Sequence, residues 1–310
     1  MSADHPVRAH VGVDPPPAAP SISEMRVAYV SGVRPGKARN EDFVACFGSA
    51  AWVLDGSSVP PGLPSCCELD AHWYVTQLSA AIAAALVHPA GRSLAEVVAE
   101  AIAAVRDKHH ALCRTSASNG ALGPSATMAL VRLAATDLEY FVLGDSSVFL
   151  DTDKSAEQIS DRRLASVAAP IRHEIREHLR AGHGYESSRY RTFLRTLIEA
   201  ERQARNVEGG YWIAADDPAA AEHAMVGTRP IGKDTASVRR LALLTDGMER
   251  VLQLFRVYPC IRALLDALDY EGPKSVLDAV RHMELADPDG TRHPRTSRAD
   301  DATALIWRLA

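Results

Sequence analysis

Three apolar runs in this 310-residue chain end in an aspartate beside a glycine: Trp52-Val-Leu-Asp55-Gly56, Phe141-Val-Leu-Gly144-Asp145-Ser146 and Leu243-Leu-Thr245-Asp246-Gly247. Two more acidic groups, Asn40-Glu41-Asp42 and Asp300-Asp301-Ala-Thr303, each precede an apolar run. Runs of this length and composition read as strands, so each carboxylate stands at a strand mouth. If packing gathers the mouths, so many carboxylates repel one another unless cations join them. Hard oxygen donors select Mg²⁺ or Mn²⁺ over zinc. A two-metal centre acidifies water and clamps the oxygens of a transferring phosphoryl group, so the chemistry it implies is hydrolysis of a phosphate ester. Taken one at a time, the same residues have a plainer reading, since Asp-Gly is a common hairpin turn and acids often cap helices. Their joint occurrence favours chemistry.

The elements that must position these groups follow from the apolar pattern. Strands are expected at Arg26 to Ser31, Phe43 to Phe47, Ala51 to Leu54, Ala126 to Leu133, Glu139 to Leu143, Val148 to Asp151, Tyr211 to Ala215 and Val238 to Leu244. A closing strand, Thr303 to Leu309, alternates in the manner of a half-buried one. Helices are expected over Asp70 to Val87 and Ser93 to Cys113, the second opened by a Ser93/Glu96 capping box. One long helix is expected between Arg172 and Arg205, followed by helices at Met248 to Phe255, Pro259 to Leu268 and Lys274 to Ala286. Strand clusters separated by helix pairs indicate an α+β fold of packed antiparallel sheets with helices outside. Residues 1–24, rich in Pro and Ala, are expected to be a disordered tail before one domain spanning 25–310.

The order of the acidic motifs resembles that of the metal-dependent protein phosphatases of the protein phosphatase 2C type. The resemblance runs from about Val27 to Leu309: Asn-Glu-Asp, a strand ending in Asp-Gly, Pro124-Ser-Ala-Thr127, Gly-Asp-Ser, Thr-Asp-Gly and a final Asp-Asp-Ala-Thr. It implies an αββα four-layer sandwich of two antiparallel sheets flanked by helices. It also implies that Asp55, Asp246 and Asp300 are the catalytic carboxylates holding two Mg²⁺ or Mn²⁺ ions, with Glu41 and the Gly56 carbonyl completing the sites. Asp145, with Asp246, would take a weaker third ion. Asp42 and Asp301 would act behind these ligands, Asp42 on water and Asp301 on the final loop. A flap beside the site is implied at about 152–210.

Two positions depart from the pattern. Asp55-Gly56 continues as Ser57-Ser58-Val-Pro-Pro instead of a further glycine pair or a histidine, which leaves the general acid unassigned. The phosphate-binding arginine position holds Lys37. Arg39 is the favoured anchor, because a guanidinium grips phosphate through two parallel hydrogen bonds, with Lys37 and Arg34 as alternatives. The expected activity is one-step removal of phosphate from Ser or Thr of a phosphorylated protein substrate by a cytoplasmic, monomeric bacterial enzyme. A catalytically weak regulatory module and a phosphatase of small metabolites are the alternatives.

Composition limits other readings. A formal charge of −5 argues against a nucleic-acid partner, and the longest apolar stretch, Ala80 to Val87, is too short to span a membrane. Five cysteines without CxxC spacing read as buried thiols. His109-His110 and His173, His178 and His183 lack convincing zinc spacing and read as exposed or capping. Asp217-Pro218, after Asp216, reads as a helix cap. The eight arginines between 172 and 205 fit either a rim for acidic phosphopeptides or a face of salt bridges.

Overall fold

The computed structural model describes residues 26–57, 69–87, 91–113, 123–232 and 234–309. The expected tail, Cys66, Cys67 and the stretch after Ser57 lie outside the described residues.

Among the described residues, ten strands form two five-stranded antiparallel sheets. The first holds β1 (Arg26–Gly32), β10 (Ala302–Arg308), β9 (Val238–Leu244), β6 (Ser147–Thr152) and β7 (Ala156–Ser160), in that order. The second holds β2 (Asp42–Phe47), β3 (Ala50–Ser57), β4 (Ser125–Leu133), β5 (Asp137–Leu143) and β8 (Met225–Pro230). The period-2 alternation of side chains then builds the layers. Ala51 and Val53 of β3 meet Leu241 and Leu243 of β9 and Leu305 and Trp307 of β10 in a core between the sheets. Trp52 and Leu54 face the other way, against α1 (Ala71–Leu86) and α2 (Leu94–Leu112). Ala242, Leu244, Ala304 and Ile306 face α6 (Asp246–Gln253), α7 (Ile261–Asp266) and α8 (Pro273–Ala286). The result is the expected four-layer αββα sandwich.

Helix starts follow their local chemistry. Asp70 caps α1 by accepting the Trp73 N–H at 2.9 Å, and Ser93 with Glu96 forms the expected capping box on α2. Asp217 accepts the Ala219 N–H at 2.9 Å and opens a short 3₁₀ turn, Pro218–His223.

Several expectations need correction. The long helix between Arg172 and Arg205 is a hairpin: α3 (Arg163–Ser166) precedes α4 (Ala169–Arg180), and α5 (Ser188–Gln203) returns. Gly182 and Gly184, at φ +79° and +66°, make the turn, and Ser187 caps the second arm. Ile175, Leu179, Tyr185, Tyr190 and Leu197 give the hairpin its own small core. Its arms are laced by Arg172–Glu201 and Arg189–Glu174 ion pairs. The strand expected at Tyr211 to Ala215 is reduced to two isolated bridges, Tyr211 with Arg205 and Ala214 with Ala126. β10 is buried on both faces, because it lies between the inter-sheet core and the α6–α8 layer. Cys46 and Cys260 are exposed and Cys113 is half-buried, since they lie on an edge strand and at two helix ends. His109 and His178 are buried, which removes the exposed half of the exposed-or-capping reading for these two.

Candidate active site

Antiparallel pairing explains why the acids meet. The ends of β3 and β5 lie beside the starts of β2 and β4, and the ends of β1 and β9 lie beside the starts of β10 and β6. Every acidic motif therefore falls on one rim of the sandwich. Asp42 sits opposite Asp55 in the β2–β3 register, and Asp55 opposite Thr127 in β3–β4.

Contacts between the sheets lock the rim. Thr245 Oγ1 donates to Asp42 Oδ2 at 2.8 Å, and the Thr303 N–H donates to Thr245 Oγ1 at 3.0 Å. The Asp301 carboxylate accepts the Arg34 and Glu41 N–H groups, both at 2.7 Å, so it clamps the loop from β1 to β2 from the far end of the chain. The Gly56 N–H donates to the Glu41 carbonyl at 3.0 Å. Only glycine fits at 247, where a Cβ would stand 1.9 Å from the Asp301 carbonyl oxygen. That contact seats the start of α6, and with it Asp246, against the Asp300–Asp301 loop.

Electrostatics mark the centre of the cluster. Burial, reinforced by their neighbours' charges, holds the Asp42 and Asp55 carboxyls well above the ordinary range. Asp246 is raised by burial and by Asp300, and Asp145 is pushed up to about 7 by burial and by Asp246. None of these four makes an ion pair among the described residues, and Asp42 Oδ1 is buried there without a hydrogen-bond partner.

The outer acids are held differently. Asp300 accepts from Arg250 Nη2 at 2.7 Å and from Ser297 Oγ at 3.1 Å, and Arg34 Nη1 lies 3.7 Å from it. Arg250 is itself buried and also reaches Glu284 Oε1 at 3.0 Å. Burial works against its charge, yet Asp300, Asp246 and Glu284 hold the guanidinium above its ordinary range. Lys37 pairs with Glu41 and lies 3.9 Å from Asp301. Arg39 turns outward to Asp70 at 3.4 Å, with most of its side chain exposed.

Two participants escaped the sequence reading. Glu249, three residues after Asp246 on α6, is buried and pushed up to about 8 by burial, with Asp246 and Asp145 adding to the shift. A helical i, i+3 spacing from Asp246 was the available signal. Arg250 carried no such signal, because its partners Glu284 and Asp300 are distant in sequence.

A stability consequence follows from these directions. Carboxylates held above their ordinary pKa bind more protons folded than unfolded, so stability falls as pH rises from about 4 through the folded values near 7 to 8. The metal-free protein should therefore melt at a higher temperature at pH 5.5 than at pH 8, and Mn²⁺ should erase most of that difference. Thermal scans with and without chelator check this; a melting temperature that climbs with pH in chelator would contradict it.

Comparison with known proteins agrees at the level of fold. No family model matches the chain, and no curated protein matches it in sequence. Among solved structures, it is similar to the catalytic domain of the serine/threonine protein phosphatase PstP in complex with two manganese ions, at 18% identity and TM-score 0.51, covering 92% of this chain and 97% of that one. PstP from Mycobacterium tuberculosis matches equally, with 98% of that chain covered. The serine/threonine phosphatase of S. agalactiae matches at 12% identity and TM-score 0.54, covering 92% of this chain and 100% of that one. These neighbours share the two-sheet sandwich of the protein phosphatase 2C type.

Proposed function

We propose that this chain is a Mg²⁺- or Mn²⁺-dependent phosphatase that removes phosphate from Ser or Thr of a phosphorylated protein. The observation that carries the proposal is a set of four ion-pair-free carboxylates at one rim among the described residues, Asp42 buried and Asp55, Asp145 and Asp246 half-buried, all held above the ordinary carboxylate range. Such a set calls for cations or protons. The donors fit hard divalent ions, since every side-chain ligand on offer is an oxygen and Asp42 Oδ1 is buried without a partner. Asp55, Asp246 and Asp300, with Glu41 and the Gly56 carbonyl, would hold two ions, and Asp145 with Asp246 a weaker third. Ions held there would acidify water and neutralise charge on a phosphoryl group.

The remaining roles belong to the chain's own groups. Asp42, anchored through Oδ2 by Thr245, would present Oδ1 to take a proton. Asp301 would fix Glu41 through its backbone. Arg34 is the guanidinium that faces the cluster with part of its surface open, so it replaces Arg39 as the proposed phosphate anchor. Arg34→Ala should raise KM for a phosphopeptide about tenfold, the scale of one charge-assisted hydrogen bond, and Arg39→Ala should do much less. The reverse ranking would return the anchor to Arg39.

A second reading, a weakly catalytic binding module, is favoured by the protein cations already on Glu41 and Asp300. If Glu41 is a metal ligand, an ion must displace Lys37. Lys37→Gln should then tighten Mn²⁺ binding by roughly fivefold, about 1 kcal/mol, in calorimetry. Unchanged affinity would exclude Glu41 from the metal site. A panel of phosphopeptides beside phosphorylated metabolites, assayed with Mn²⁺, tests the substrate class: preference for metabolites would replace the protein substrate, and no turnover of either would favour the binding module.

A further inference from the structure

The last turn of α2 and the segment after Ala214 bring together a second set of donors, none of which belongs to the acid cluster. His109 Nδ1 lies 3.7 Å from Asp216 Oδ1, and His110 Nε2 lies 4.0 Å from Asp216 Oδ2. One donor atom from each of the three residues falls within 4.8 Å of the others. Donors around a tetrahedral zinc ion, each about 2.0–2.1 Å from it, stand roughly 3.4 Å apart. Rotation of His110 and Asp216, both exposed, onto the buried His109 closes that gap.

The frame around the three is fixed on both sides. His109 is only 4% exposed, and its ring lies 5.9 Å from that of Trp73 on α1. Ala214 is tied to Ala126 by two backbone hydrogen bonds of 2.9 and 3.0 Å, and the Ala215 carbonyl accepts the Tyr74 hydroxyl at 3.0 Å. Asp217, the next residue after Asp216, caps the 3₁₀ turn. The Asp216 backbone is thus held in place without any metal, and only side-chain rotation remains to be selected.

We propose that His109, His110 and Asp216 form a site for a borderline divalent d-block cation, Zn²⁺ in the first instance. Two imidazoles and one carboxylate are a familiar donor set for such ions, and they leave one tetrahedral position for water or an external ligand. Burial holds the His109 imidazole below the ordinary histidine range, which favours the uncharged ring that coordinates a metal. The bound ion would clip α2 to the segment that pairs with β4 at Ala126, one residue from the Thr127 that faces Asp55. The site stands independently of the phosphatase proposal.

The test uses the full chain saturated with Mg²⁺, which fills oxygen-rich sites, and titrates it with Zn²⁺ by calorimetry. His110→Ala and Asp216→Asn change exposed side chains and should leave the fold intact. Each should weaken one zinc-binding event at least about tenfold, the lower bound for losing even an outer partner of a metal site. Cu²⁺ serves as a spectroscopic probe: its nitrogen couplings should fall from two imidazoles to one in His110→Ala. No zinc-binding event in the wild type, or unchanged affinity and copper spectra in both variants, would overturn the site and leave the histidines as partners of the helix dipole and of Asp216.

Discussion

Asp55→Asn and Asp246→Asn should each lower turnover of an aryl phosphate by at least about a hundredfold, and each should raise the melting temperature of the metal-free protein. The two effects have one cause. An amide keeps the shape of the carboxylate but removes the charge that would hold a cation, and loss even of an outer partner of a metal site costs roughly 10- to 100-fold. The same charge is a burden when no ion is bound, because Asp55 and Asp246 are partly desolvated and lie near the other acids of the rim, which holds both carboxyls above their ordinary range. Removing one member relieves desolvation and repulsion together. A merely structural aspartate would behave the other way, losing stability on substitution. Turnover measured in saturating Mn²⁺ and thermal scans in chelator separate the two, and full activity in either variant would exclude that residue from the metal centre.

Arg250→Met should destabilise the domain by about 3 kcal/mol. Its guanidinium is buried between Glu284 and Asp300, and removing one side of a buried ion pair leaves the other charge uncompensated, typically at a cost of roughly 3–5 kcal/mol. The lower end applies here because Glu284 keeps its contact with Arg281 and Asp300 keeps Arg34 at 3.7 Å. Methionine matches the stem of the lost side chain, so packing changes little. Adding Asp300→Asn to this variant should recover part of the loss, because one orphaned charge disappears. Denaturant unfolding of the single and double variants checks the coupling. A single variant within about 0.5 kcal/mol of wild type, or a double variant worse than the sum of its parts, would show that the pair does not hold this corner of the rim.

The rim itself was legible in the sequence because strand mouths and acids coincide there. Asp55, Asp145 and Asp246 each follow an apolar run, and antiparallel order carries every such mouth to one edge. The layers were legible for the same reason, through alternation in β3, β9 and β10. What failed were elements whose pattern is weak or whose partners are remote. β7 and β8 are edge strands, and β8 carries Gly227 and ends in Pro230, so neither shows a strong alternation. Tyr211 to Ala215 has an apolar run but makes only isolated bridges, at Tyr211 and Ala214, as other backbone groups of the segment bond to the side chains of Asn206 and Tyr74. The counter-charges were the least legible. Nothing local ties Arg250 to Glu284 and Asp300, or turns Arg39 to Asp70 while Lys37 folds back onto Glu41.

The most direct measurement is the hydrolysis of an aryl phosphate by the purified full chain as Mn²⁺ is titrated in and then withdrawn with chelator. Turnover that rises with Mn²⁺, disappears in chelator, returns when Mn²⁺ is restored and is absent in Asp246→Asn is the predicted result. Turnover that persists in chelator, or a protein that binds Mn²⁺ and still hydrolyses nothing, would contradict the account.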